Sequence, residues 1–279
     1  MIEEIVQKKN NMTVHGMAVL TICCLVAAYY PTLIWMWDRW FIRDSYYSHG
    51  ILIPFVSLFL IWQLMDELKE IECKGSGWGI VLIVIGFAIH VFSALFRIYF
   101  SSGFSMLIVL FGIVLYFYGG KILNKIFFPL AFLVFMIPLP LVLIEGISFK
   151  LKMLAAHIAT LLLNKMRIPA IREGSVIKMR NAFVVVDDVC SGLRSLISLM
   201  ALGSIFAFWM KSSVTKKVLL FLTTIPIAII TNVCRIIFLA SVSEIWGPEY
   251  ATGFVHDLSG FLVFALAFIL LFASSKLIE

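Results

Sequence analysis

Charge is what this sequence has little of. Only 14% of its 279 residues are Asp, Glu, Lys or Arg, while 62% are hydrophobic. A soluble globular domain carries about 25% charged residues, so the shortage excludes an ordinary water-soluble domain. Cysteine is also sparse. The five cysteines form no CxxC pair and no Cys/His spacing that suits a metal, which excludes a zinc site and a disulfide framework. There is no internal repeat and no low-complexity segment. A cleavable signal peptide is not expected either. The charged stretch Met1 to Asn11 leads into an apolar run that is too long and has no small-residue cleavage site. The net charge of +6 is dispersed along the chain. Dispersed basic residues set membrane topology rather than bind nucleic acid.

What the chain does have is apolar runs. Its mean hydropathy is +1.05, and a spanning helix needs about 20 apolar residues. Eight segments qualify: 13–37, 50–66, 77–96, 102–118, 126–145, 191–210, 218–240 and 256–275. Short connectors separate most of them, and Pro138 and Pro140 end or kink the fifth. Residues 146–167 are apolar but carry Lys150, His157 and Asn164 seven apart, on one helical face. That reads as an amphipathic helix in the interface or lining a cavity. Residues 170–189 alternate and are β-branched, with a turn signal at Arg180-Asn181, and read as a small β-hairpin. The expected fold is an all-α polytopic membrane protein with about eight transmembrane helices, an interfacial amphipathic helix and a small β-hairpin. It forms one integral membrane domain over 1–279: five spans in 13–145, the interfacial part in 146–189, and three spans in 190–279.

Three polar residues border or interrupt the last apolar runs. Cys190 precedes the run 191–210, Arg235 lies near the far end of 218–240, and His256 opens the last span. The chain reverses between them, so at about 1.5 Å rise per residue they fall at one membrane depth. A thiol, a guanidinium and an imidazole are the parts of a cysteine acyl-transfer site. Cys190 is placed at a helix N-terminus, whose dipole favours thiolate. Arg194, four residues on, lies on the same face and acts in the same direction, whereas Asp188 opposes it. Gly192 leaves room for close approach of a substrate backbone, and Ser191 completes the block.

Arg235 inside an apolar helix costs roughly 2.5–3.5 kcal/mol on insertion scales. Such a residue faces a cavity and suits an oxyanion or a substrate carboxylate. Asn232 shares its face and orients it or donates to substrate. His256, with Ser259 and Gly260 on the same face, serves as general base and acid. The plainer alternatives are a buried structural cysteine, an interfacial arginine paired with Asp187 or Asp188, and a helix-capping histidine. His90 and His157 read as structural.

The blocks Cys190-Ser-Gly-Leu-Arg194, Asn232-Val-Cys-Arg235 and the early-helix His256 resemble the exosortase/archaeosortase family of prokaryotic membrane transpeptidases. Tyr47-Ser48-His49-Gly50 followed by Pro54 resembles the family's amino-terminal region. The family commonly has a glutamate where Asp188 stands, so the carboxylate is kept. The resemblance implies that Cys190, Arg235 and His256 are catalytic, with Arg194, Asn232, Asp188, Ser191, Gly192 and Ser259 supporting them. It implies no cofactor and no metal. Its implied partners are secreted proteins ending in a short motif, a transmembrane helix and a basic cluster, together with membrane lipid and an amine acceptor not named by the sequence.

Charge is divided on which side the site faces. Eight spans put both termini in the cytoplasm and the site outside, with Lys211–Lys217 inside. The basic segment 150–180 argues for the opposite side, which nine spans would give. The resemblance implies an extracytoplasmic site and a cavity open to lipid. It leaves the basic segment as a place for anionic head groups or the acceptor. Two other classes compete: a transporter or channel using Arg235 and His256 as pathway residues, and a non-catalytic scaffold of a surface-export machine.

Overall fold

A computed structural model describes residues 16–17, 19–43, 45–187 and 191–279. Asp188 and Cys190 therefore lie outside the described residues. The chain separates into two compact units. One comprises residues up to Ile42 together with Gly50–Pro138. The other comprises Arg43–His49 and Leu139–Glu279.

The first unit opens with α1 (Val19–Ala28) and α2 (Tyr30–Phe41), which are bent by 70° relative to each other. Pro31 supplies the cause: it has no N–H to continue the helical ladder. There follow α3 (Leu52–Gln63), the short α4 (Met65–Lys69), α5 (Trp78–Leu95), α6 (Tyr99–Tyr118), α7 (Gly120–Lys125) and α8 (Phe127–Phe132), which tightens into a 3-10 turn at Leu133–Met136. Helices α5 and α6 pack closely because glycines let their backbones meet. A Cβ on Gly79 would come within 2.6 Å of Gly112 O, and one on Gly86 within 2.5 Å of the Val109 side chain. Hydroxyls bind the same helices across their apolar faces. Tyr29 meets Ser105 at 2.9 Å, Thr32 meets Ser102 at 2.6 Å, and His90 meets Ser102 at 2.9 Å. The structural role expected for His90 fits this network.

The second unit holds α9 (Leu141–Lys165), a three-stranded sheet, α10 (Leu193–Trp209), α11 (Val214–Trp246), a 3-10 turn (Pro248–Ala251) and α12 (Gly253–Ile278). Ala155, Ala156, Ala159 and Leu163 of α9 pack on Val233, Ile236 and Ala240 of α11, with Ile177 from the sheet. Leu199 of α10, Leu220 and Ala228 of α11, and Ala267 and Leu271 of α12 form a second cluster. Lys150, His157 and Asn164 share the exposed side of α9, as their spacing predicts. Asn164 also closes the turn that follows, donating to Ala170 O at 2.8 Å and accepting from Ala170 N at 3.0 Å.

Several expectations need correction. Among the described residues four helices are long and apolar enough to cross a membrane, or up to six if each bent pair is one span, which does not confirm the expected count of eight. Two further apolar helices, α3 and α10, have 12 and 17 residues. The fifth apolar run is not one helix to 145. It breaks at Ile137–Pro140, where Ile137 is extended before a proline. Leu141–Glu145 instead begin α9. The β-hairpin is a three-stranded antiparallel sheet of β1 (Ile171–Glu173), β2 (Val176–Lys178) and β3 (Phe183–Val185), in that order. The turn expected at Arg180-Asn181 is present, closed by Met179 N to Ala182 O at 2.8 Å. The added strand turns at Gly174, whose φ of +64° suits glycine. Helix α11 runs six residues past 240, so Arg235 is about three turns from its end rather than one or two.

Candidate active site

Helix α10 begins at a glycine. Gly192 has φ +83° and is the residue before the first helical position, with buried Ser191 on its amino side and Cys190 next in the chain. The room beside Gly192 is occupied by protein. A Cβ there would lie 2.8 Å from Cγ and 2.9 Å from Nδ2 of Asn232. The close approach that Gly192 permits among the described residues is that of the Asn232 side chain on α11. Ser191, Gly192 and Asn232 line a cavity of about 10 Å³ with Leu151, Ala155 and Leu196. That is the lower limit for a single water, so this side of α10 is closed packing.

The opposite side is open and polar. Arg194, Arg235 and His256, from three different helices, line one cavity of about 310 Å³ together with Ser48, Ser195 and Ser198. Among the described residues two guanidiniums face it against one carboxylate, that of Asp257. The imbalance favours an anion, or a transition state that acquires negative charge.

The guanidinium of Arg235 is fixed by α12. Its Nε donates to Ser259 Oγ at 3.1 Å, and its Nη2 lies 3.1 Å from His256 Nε2 and 3.5 Å from His256 O. Ser259 in turn donates to His256 O at 2.6 Å. Arginine is always a donor, so in this contact Nε2 of His256 accepts and carries no proton. The imidazole is then the Nδ1–H tautomer, with Nδ1 3.4 Å from Asp257 Oδ1. His256 lies in the first turn of α12, as expected for the start of the last helix.

A turn from the other end of the sequence completes the wall. Ser45 Oγ accepts from Tyr47 N at 2.9 Å, and buried Tyr47 accepts at its hydroxyl from Leu139 N at 3.2 Å. Burial pushes the Tyr47 phenol up to about 12, so it remains neutral. The Tyr47 ring stacks on His49 with centroids 5.9 Å apart. His49 Nδ1 lies 3.1 Å from Ser198 Oγ on α10. Burial pushes His49 down to about 4, so it too is neutral near pH 7.

Of the residues singled out from the sequence, Arg194, Arg235 and His256 line the open cavity, and Ser259 holds Arg235. Ser191, Gly192 and Asn232 form the packed start of α10, while Cys190 and Asp188 fall outside the described residues. Sequence reasoning did not assign Ser195, Ser198, Asp257 or the Ser48-His49 turn to the site. Ser191, Arg194, Ser195 and Ser198 recur at helical spacing in an otherwise apolar run, and that periodicity was a usable signal. Asp257 adjoins His256. No local pattern joins His49 to a residue 149 positions away.

Comparison with known proteins agrees with this region of the chain. A family model described as transmembrane exosortase matches residues 37–273. No curated protein and no solved structure matches.

Proposed function

The chain belongs to the transmembrane exosortase family, and from that premise we propose that it is a membrane cysteine peptidase and transpeptidase. It removes the carboxyl-terminal sorting tail of secreted proteins through a thioester at Cys190. The observation that carries the reading is the hydrogen bond between Arg235 and His256, 21 residues apart on two helices, in a cavity that Arg194 of the cysteine block also lines. A cation in an apolar helix is costly without partners. Here Arg235 is hydrogen-bonded to His256 and Ser259 and lines a polar cavity.

The chemistry follows from the tautomer. Nε2 of His256, which accepts from Arg235 at rest, carries the lone pair that takes the proton from the Cys190 thiol. Once Nε2 is protonated it can no longer accept from Arg235 Nη2, so that N–H is released as the thiolate adds to the scissile carbonyl. A new C–S bond forms and the carbonyl oxygen becomes an oxyanion, which the released guanidinium N–H stabilises. Collapse breaks the C–N bond. The imidazolium gives its proton to the departing amine and returns to its starting state. An acceptor amine, or water, then attacks the thioester, His256 takes its proton, and the Cys190 thiolate leaves.

On this reading the site faces the extracytoplasmic side of the cytoplasmic membrane. The substrates end in a motif, an apolar helix and a basic cluster. The test is mass spectrometry of a co-expressed tail-bearing secreted protein with the wild-type chain and with Cys190→Ala. Loss of the tail with the wild type alone is the expected result, and the mass of the new end separates transfer from hydrolysis. An intact tail in both, with the enzyme folded in the membrane, would overturn the reading.

A further inference from the structure

Serine and threonine hydroxyls inside apolar helices usually bond back to a carbonyl one turn earlier. Several hydroxyls of α10 and α11 follow that habit. Ser204 donates to Ala201 O, Thr223 to Leu220 O, Thr231 to Ile227 O and Ser241 to Ile237 O, all between 2.7 and 2.8 Å. Ser198 departs from it. Its hydroxyl meets His49 Nδ1 at 3.1 Å and makes no back-bond to its own helix among the described residues. Ser198 also lines the open cavity with Arg194, Arg235 and His256.

The direction of the Ser198–His49 bond follows from the other ring nitrogen. His49 Nε2 is buried and has no hydrogen-bond partner among the described residues. If Ser198 donated to Nδ1, the proton of the neutral ring would sit on Nε2 as a buried donor without an acceptor. If Nδ1–H donates to Ser198 Oγ, Nε2 is a bare lone pair. Orphaned buried donors are rarer than under-satisfied acceptors, so the second arrangement is favoured. It leaves the Ser198 O–H with no acceptor among the described residues and able to donate into the cavity.

We infer that Ser198 is a hydrogen-bond donor to a peptide carbonyl of the bound substrate, and that His49 is the positioning residue that aims it. The inference rests on the peptidase reading above. It gives the Tyr47-Ser48-His49 turn a task in substrate binding. Tyr47 anchors the turn, His49 fixes the serine rotamer, and the hydroxyl presents one donor beside the two guanidiniums.

The test uses the full chain in membranes and a secreted reporter that ends in a motif, apolar helix and basic cluster taken from the host's own secreted proteins. Tail removal is timed for wild type, Cys190→Ala, Ser198→Ala, His49→Leu, His49→Asn and the double variant Ser198→Ala with His49→Leu, at matched membrane levels. Loss of one net hydrogen bond to substrate corresponds to about a tenfold slower reaction. Ser198→Ala and His49→Leu are each expected to show that loss, and the double variant no more than either alone. His49→Asn, whose amide N–H can replace Nδ1–H, is expected to restore most of the rate, which a merely structural role for the ring would not predict. A reporter left intact by the wild type would overturn the peptidase reading and this inference together. A reporter processed equally fast by wild type and Ser198→Ala, or losses that multiply in the double variant, would overturn this inference alone.

Discussion

Arg235 Nη2 lies 3.1 Å from His256 Nε2, and a further bond from Nε to Ser259 holds the arginine in place. Both contacts need a planar fork. An ammonium offers three donors from a single atom and cannot span both positions in that geometry. Arg235→Lys therefore keeps the charge and loses the arrangement. If the guanidinium serves the oxyanion, the change lowers processing by roughly 100- to 1,000-fold, with little change in melting temperature in detergent. A rate within a factor of a few of wild type would mean that charge alone is needed.

Asp257 is the only acid lining the cavity among the described residues, and Nδ1 of His256 is 3.4 Å from its carboxylate. The contact is long, and the Asp257 side chain is 85% exposed. An exposed partner contributes little. Asp257→Asn should therefore slow tail removal by no more than about tenfold, far less than His256→Ala. Timing the two variants side by side checks this. Equal losses would show that the Nδ1–H tautomer depends on the carboxylate rather than on Arg235.

Gly192→Ala is expected to be poorly tolerated. A φ of +83° strains an L-residue by about 1–2 kcal/mol, and the new Cβ would lie 2.8 Å from the Asn232 amide carbon. The melting temperature should fall, and Asn232→Ala in the same chain should recover part of the loss. The recovery is incomplete because Asn232 Cβ, at 3.0 Å, remains. An unchanged melting temperature would show that α10 does not need this turn.

The parts of the site that interrupt apolar runs were legible in the sequence. Arg235 and His256 each break a long hydrophobic stretch, and chain reversal brings them to one cavity. The Arg180-Asn181 turn was legible because alternating β-branched residues flank it. Strand β1 was not. Ile171, Arg172 and Glu173 are all exposed, so no burial pattern marks them, and their pairing depends on the backbone at Gly174. The bounds of the fifth apolar run were misread because hydropathy sees only composition. Leu141–Glu145 continue the preceding apolar run in sequence but belong in space to α9. The wall at Ser48 and His49 could not be read, because its partner Ser198 lies 149 residues on and no periodicity connects them.

In the first unit, Gly79→Ala should destabilise while Gly77→Ala should not. A Cβ on Gly79 would press on the backbone of Tyr116 at 2.5 Å and of Gly112 at 2.6 Å, whereas nothing lies within 4 Å of one on Gly77. Backbone cannot move aside as a flexible side chain can, and overpacking costs about 1–3 kcal/mol. Thermal unfolding in detergent compares the two. Equal melting temperatures would show that α5 and α6 are not in this register.

The buried His49 ring makes stability depend on pH. Its folded form binds a proton only near pH 4, against an ordinary value of 6.5, because burial disfavours the imidazolium. Between those values the unfolded ring holds more protons than the folded one, so stability rises with pH across that window. The contribution is complete above about pH 6.5 and is lost as pH falls towards 4. Its full size is roughly 3 kcal/mol. Other groups in the protein also respond to pH, so the wild-type profile alone does not isolate it. The difference between wild type and His49→Asn does, since asparagine keeps a donor for Ser198 and carries no titrating proton. The two melting temperatures should differ by an amount that changes between pH 7.5 and pH 5. A difference that stays constant across that interval would show that His49 is solvated and that its ring does not seal the wall of the cavity.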